Sequence, residues 1–220
     1  MPGQITALEV QARNKERVNV YLDGEYAFAL PLVEAARLRR GQVLTEAEIA
    51  ELKARDAVAT ALDRAVRFLS YRPRSISEVR RNLQEKGVEP PVIDQVIAEL
   101  ERLGYLDDLA FARYWVQNRD EFRPRGPLAL RQELKQKGIS GSIITQVLGE
   151  VDFAEAAYRA ARAQAARWTS LNRQVFRQKL YAYLARRGFP TETCREVLDR
   201  LLAELELPAD DRIDDDEWQE

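Results

Sequence analysis

Arg72-Pro73-Arg74-Ser75 opens a stretch that runs through Lys86-Gly87, Pro90-Pro91 and Gly104-Tyr105-Leu106-Asp107-Asp108 to Arg123-Pro124-Arg125-Gly126-Pro127 and Lys137-Gly138. One helical unit closes inside it and a second copy opens. Laid over the first, the second copy carries Gly87 onto Gly138 and Arg74-Ser75 onto Arg125-Gly126, and a third copy follows at Gly188. The three glycines stand 51 and 50 residues apart, a period that marks an array of small modules rather than one large core.

Apolar positions repeat with the glycines. Eight residues before each stand Val79, Leu130 and Leu180, and four before stand Leu83, Leu134 and Leu184. One residue after stand Val88, Ile139 and Phe189, nine after Val96, Val147 and Val197, and ten after Ile97, Leu148 and Leu198. Apolar residues four apart on both sides of a glycine describe two amphipathic helices meeting at a glycine-terminated turn. Each such side chain contributes about 1.5 to 3 kcal/mol when buried, enough in sum to hold a small unit after conformational entropy is subtracted.

A third helix precedes each pair, over Asp56 to Tyr71, Asp107 to Phe122 and Asp152 to Trp168. Ser75-Ile76-Ser77-Glu78 has the form of a capping box, and Pro91 and Pro127 fall where a first helical turn tolerates a missing donor. Ahead of the repeats, Ile5, Val10, Val18, Val20, Tyr21, Tyr26 and Phe28 lie in short β-prone runs. Turns are expected at Arg13-Asn14-Lys15 and Asp23-Gly24, which together make a three-stranded meander. Pro31 to Arg39 reads as a short helix closed by Gly41, and Thr45-Glu46-Ala47-Glu48 caps a long helix that ends before Arg72-Pro73. The fold class is mainly α: tandem three-helix, helix-turn-helix-like repeats in an elongated array behind a small N-terminal three-stranded antiparallel β extension. The expected division is a β-meander with short helices over 1–55, repeats over 56–106, 107–151 and 152–207, and an acidic disordered tail over 208–220, with Pro208 ending the last helix.

Composition narrows the chemistry. The chain has no histidine and Cys194 is its only cysteine, so structural zinc and imidazole- or thiol-based acyl transfer lack their residues. No metal, no cofactor and no catalytic residue is expected. Cys194 occupies the place of Ile93 and Ile144 in the other modules, which assigns it as a small buried hydrophobe rather than a redox thiol. The glycines are helix caps, since no glycine-rich run is followed by Lys-Ser or Lys-Thr. Asp107-Asp108 stands just before a helix, where a cap and a favourable dipole contact explain it better than a metal. Trp115, near Phe111 and Tyr114, is read as packing between modules in preference to an exposed anchor. Neither a signal peptide nor an apolar run long enough to span a bilayer is present, giving a cytoplasmic expectation with no membrane partner.

The net charge of −2 is unevenly spread. Residues 210–220 hold seven acids and one base, while Ala156 to Thr191 hold no acid and eight bases: Arg159, Arg162, Arg167, Arg173, Arg177, Lys179, Arg186 and Arg187. Arg72, Arg74, Arg80 and Arg81 cluster at the first helix-pair entrance. Arg123, Arg125, Arg131, Lys135 and Lys137 repeat that cluster in the second, with Arg119 in the helix before it. A solvated charged face is the usual explanation, but recurrence at equivalent positions points to a basic ribbon for a polyanion or an acidic protein surface. The second helices, beginning Val92-Ile93-Asp94-Gln95 and Ile143-Ile144-Thr145-Gln146, carry too few base-reading side chains for sequence-specific DNA recognition.

Tyr71-Arg72-Pro73-Arg74-Ser75, Gly104-Tyr105-Leu106-Asp107-Asp108, Phe111-Ala112 and Arg123-Pro124-Arg125-Gly126 together resemble the signature of the regulatory protein RecX family, over nearly the whole chain. The resemblance implies a protein that binds the RecA recombinase, lodges along the groove of its filament on single-stranded DNA, and inhibits strand exchange, ATP turnover and coprotease activity, with direct DNA binding in some members. It implies a non-enzymatic negative modulator acting in DNA repair and the SOS response, here expected as a monomer. The alternative is a DNA-binding protein acting independently of RecA. The acidic tail is a departure that the family pattern does not require.

Overall fold

Alternating apolar residues at the N-terminus form the expected meander. Strands β1 (Gly3–Val10), β2 (Arg17–Leu22) and β3 (Glu25–Pro31) pair antiparallel. The β2–β3 turn is Asp23-Gly24, with φ of 52° and 92°, the left-handed pair that lets a two-residue loop follow the twist of its strands. The computed structural model describes residues 2–168 and 170–205, so Pro208 and the acidic tail lie outside the described residues. Within them the chain divides into two compact units, one ending at Asp107 and the next beginning at Asp108.

In the first unit the sheet gains a fourth strand, β4 (Val43–Leu44), and its order is β3-β2-β1-β4. A two-residue strand has no periodicity to announce it. Its formation also shortens the helix expected from Pro31 to Arg39 to α1 (Leu32–Ala35). The chain tightens through Arg37 N–H to Glu34 and Leu38 N–H to Ala35, then turns at Gly41, whose amide donates to Ile5 at 2.8 Å. It must turn there to lay β4 beside Gly3 and Gln4.

The long helix α2 (Glu46–Leu69) starts on the expected capping box: Thr45 N–H donates to Glu48 Oε2 at 2.7 Å, and Glu48 N–H donates to Thr45 Oγ1 at 3.2 Å. Its first half lends Ile49 and Leu52 to the sheet core, built on Ile5, Val20, Leu30 and Leu44. Its second half lends Ala61 and Ala65 to the first repeat. Arg17 fastens the sheet to this helix, pairing with Asp56 at 2.8 Å and donating to Thr60 at 3.0 Å. Helices α3 (Ile76–Glu85) and α4 (Pro90–Arg102) complete the repeat. Ser75 caps α3 through its box with Glu78 and is fully buried.

The second unit holds two more three-helix cores. One is α5 (Asp108–Phe122), α6 (Pro127–Gln136) and α7 (Gly141–Gly149); the other is α8 (Phe153–Ala165), α9 (Arg173–Arg186) and α10 (Thr191–Glu204). The glycine-relative positions are buried in all three repeats except Val88, which is half-buried. Gly87, Gly138 and Gly188 have φ of 73°, 79° and 84°, and after each the next amide returns to the leucine four before the glycine: Val88 to Leu83, Ile139 to Leu134, Phe189 to Leu184. One helix-ending device therefore recurs at all three repeat glycines.

Repeats two and three meet backbone to backbone. Gly126 N–H donates to Arg187 O at 2.9 Å and Leu128 N–H to Gly188 O at 3.2 Å. A Cβ at Gly126 would overlap the carbonyl of Gly188 and the amide of Phe189, and one at Gly188 would stand 2.6 Å from Ala129 Cβ. Two glycines permit this approach, and a small residue at 129 completes it. A pair between Arg159 and Asp120 at 2.6 Å adds a second tie.

Candidate polyanion-binding surface

The basic entrances of the first two repeats are alike in sequence but differ in structure. At the first, Arg72 is held bidentately by Glu78, the third residue of α3, at 2.8 and 3.2 Å. Arg74 lies over the Phe68 ring, 4.0 Å from its centre, with its Nε buried and lacking an acceptor. Burial, with help from Arg72 and against the pull of Glu78, lowers its pKa from the ordinary arginine value. Arg80 pairs with Asp94 at 2.6 Å. Of this cluster only Arg81 is exposed with no partner among the described residues.

In the second repeat both neutralising acids are gone. Ala129 stands where Glu78 stands in the first, and Thr145 where Asp94 stands. Arg123 and Arg131 are accordingly exposed, with no side-chain hydrogen bond or ion pair among the described residues. Lys135 is in the same condition. Arg119 and Arg125 converge instead on Glu133, which accepts from Trp115 Nε1 and Arg119 Nε at 2.8 Å each and lies 3.7 Å from Arg125. Arg119 and Lys137 also cover the Trp115 ring, at 4.6 and 4.9 Å. Trp115 thus packs within its own repeat, on Phe111 and its neighbours, and not between repeats as expected.

The glycine junction carries this entrance against the end of α9. There Arg123, Arg125, Arg186, Arg187 and Tyr183 line a depression of about 350 Å³. Arg187 is fixed in it by donation to Pro124 O at 2.9 Å and by stacking 4.6 Å over Tyr183. Arg186 is exposed with no partner among the described residues and also lines a neighbouring hollow with Lys179 and Trp168. Among the described residues no carboxylate lines either space. Arg173 stands exposed at the start of α9, and Arg177 has a loose pair with Asp199 at 3.8 Å.

The sequence reading named these bases but missed what sorts them: Glu78, Asp94, Ala129, Thr145 and Glu133. The signal was available as the residues that follow each helix start and each glycine, compared between repeats for acids rather than for bases.

The other candidates resolve simply. Asp107 directly precedes α5, in the cap position. Cys194 is fully buried with its Sγ 3.6 Å from Phe189 O, and burial raises its pKa. Its thiol is therefore expected to resist a small disulfide reagent at neutral pH in the native protein and to react fully in denaturant; rapid stoichiometric reaction without denaturant would contradict the packing. Among the described residues no cluster of metal-ligating side chains exists, and no helix is long and apolar enough to cross a membrane.

These features define a class: a tandem three-helix-repeat protein that gathers guanidinium groups at the turn between two repeats. Its parts match four RecX segments in order. They are the regulatory protein RecX N-terminal domain over residues 3–45 and the RecX first, second and third three-helix domains over 61–100, 107–148 and 150–198. The chain is 34% identical over 210 residues to the regulatory protein RecX of Listeria monocytogenes serotype 4b (strain F2365), covering 93% of this chain and 78% of that one. It is 34% identical over 212 residues to that of Bacillus licheniformis, covering 94% and 79%. A crystal structure of regulatory protein RecX superposes with a TM-score of 0.71 at 30% identity, over 90% of this chain and 99% of the other. RecX from Lactobacillus salivarius, at 22% identity and a TM-score of 0.61 over 66% of this chain and 97% of that one, shares the fold. The chain belongs to the RecX family of regulatory proteins.

Proposed function

We propose that this chain is a negative modulator of RecA: it binds the RecA filament on single-stranded DNA and inhibits strand exchange, ATP turnover and coprotease activity in cytoplasmic DNA repair. It does so as a monomer and without a cofactor. The observation that carries this reading is membership of a regulatory family across all four segments of the chain. The repeat architecture supports it, because a periodic partner can be held by linked modules whose individual contacts are modest but whose effective concentrations are high. The cationic surface at the second and third repeats supplies groups suited to phosphates or acidic side chains.

Co-sedimentation with RecA filaments, formed with and without single-stranded DNA, tests the reading. The chain is expected in the pellet with the DNA-bound filament; a chain that stays in the supernatant while the filament pellets would overturn it.

A second reading, DNA binding independent of RecA, is favoured by the depression at the repeat junction, which arginines and one tyrosine line among the described residues. Steep salt dependence on duplex and single strands, with affinity undiminished without RecA, would select it. Base reading by the second helices has no support, since Ile93, Val96, Ile144 and Val147 are turned into the cores.

A further inference from the structure

We propose that the depression between repeats two and three is a phosphate-binding site that takes the backbone of a single nucleic-acid strand. The phosphate chemistry is argued from the pocket alone; the choice of a strand as its source rests on the function proposed above.

Four guanidinium groups from two different repeats line one space of about 350 Å³ that, among the described residues, no carboxylate lines. Charged groups so close repel one another, and several arginines elsewhere are answered by acids: Arg72 by Glu78, Arg80 by Asp94, Arg113 by Glu150. Here the two acids that would answer Arg123 and Arg131 are replaced by Ala129 and Thr145. Glu133, which lies nearby, already accepts two hydrogen bonds from other residues and reaches Arg125 only at 3.7 Å. An anion from outside would relieve that repulsion.

The site is also held in place before anything binds. Arg187 is fixed by Pro124 O and the Tyr183 ring, and the turns bearing Arg123 and Arg186 are joined by the Gly126 and Leu128 hydrogen bonds. Donors held in position lose little freedom on binding. The planar fork of arginine matches two oxygens of a phosphate at once.

Continuity favours a strand over a free ion. Arg186 belongs to both the junction depression and the hollow of about 380 Å³ that contains Lys179 and Trp168. Phe122, next to Arg123, is 68% exposed at the end of α5. Cations that continue from one hollow into the next, beside the exposed Phe122 ring, suit a backbone whose bases can stack on aromatic side chains.

The test uses the full chain, a fluorescent single-stranded oligonucleotide and a salt titration, with Arg123→Glu/Arg186→Glu against an Arg64→Glu control. The double variant is expected to bind at least tenfold more weakly near 0.1 M salt, and its slope of log affinity against log salt is expected to flatten by about 1.4 for two phosphates lost. Arg64→Glu should match the parent. Unchanged affinity and slope in the double variant would overturn the site. Inorganic pyrophosphate is expected to compete with the oligonucleotide; pyrophosphate binding that the oligonucleotide does not displace would overturn the strand assignment. RecA-dependent ATP hydrolysis on the same variants separates the two readings. Lost inhibition with oligonucleotide binding intact sinks the phosphate site and leaves the modulator, while lost oligonucleotide binding with inhibition intact upholds the phosphate site and shows that the modulator does not act through it.

Discussion

Replacing Gly126 by alanine is expected to destabilise the second unit by about 3 kcal/mol, the upper end of what overpacking a tight contact costs. The added methyl meets backbone, the carbonyl of Gly188 and the amide of Phe189, and no rotamer change can move those atoms aside. The turns must separate, and the hydrogen bonds from Gly126 to Arg187 and from Leu128 to Gly188 go with them. Gly149→Ala is the matched control. It ends α7, a Cβ there would meet nothing within 4 Å, and alanine in a helix is favoured over glycine by up to about 1 kcal/mol. Hydrogen exchange at Leu128, with urea midpoints for both variants, checks the pair. Equal stability of Gly126→Ala and the parent would mean that the junction does not hold the two repeats together. The same substitution is expected to weaken anion binding although it removes no charge, because it moves Arg123 away from Arg186.

Phe176→Ala should cost about 3 to 5 kcal/mol, the range for emptying an aromatic site in a packed core. Phe176 is fully buried among Leu180, Leu184 and the alanines of α8. Those alanines are too short to reach into the space left behind. Tyr71→Ala, at a site 83% exposed, is expected to stay within about 0.5 kcal/mol of the parent. Because the chain divides into two compact units, the loss is best read from exchange rates in α8 to α10 rather than from one global transition. A loss under 1 kcal/mol at Phe176 would contradict the packing of the third core.

Much of this architecture could be read before any coordinates, and the reason is periodicity. Helices with buried residues four apart and a glycine at each turn leave a pattern that survives divergence, so Leu83, Leu134 and Leu184 fall at equivalent core positions. The capping boxes at Thr45 and Ser75 were legible because each is closed within four residues. Strand β4 and the shortened α1 were not, since both follow from Gly41 and Gln42 reaching back to Ile5, which is a tertiary cause. The arginines were legible as a set but not as individuals. Arg72 and Arg123 occupy the same place in the same motif, yet one is bound by Glu78 and the other faces solvent. Alanine at 129 both removes the acid and lets Gly188 approach, so freeing the charge and joining the repeats share one substitution. The tally of bases alone could not separate those roles, because the deciding residue is uncharged.

On the function proposed above, the second and third repeats restrain a RecA filament through arginines that their own acids leave free. ATP hydrolysis by RecA on single-stranded DNA, titrated with the parent chain and with Arg123→Glu/Arg131→Glu/Arg186→Glu, tests it most directly. These three have no internal partner among the described residues, so circular dichroism should show unchanged helicity. The parent is expected to suppress hydrolysis and the triple variant to need at least ten times the concentration for the same effect. A triple variant that inhibits as well as the parent would contradict the claim.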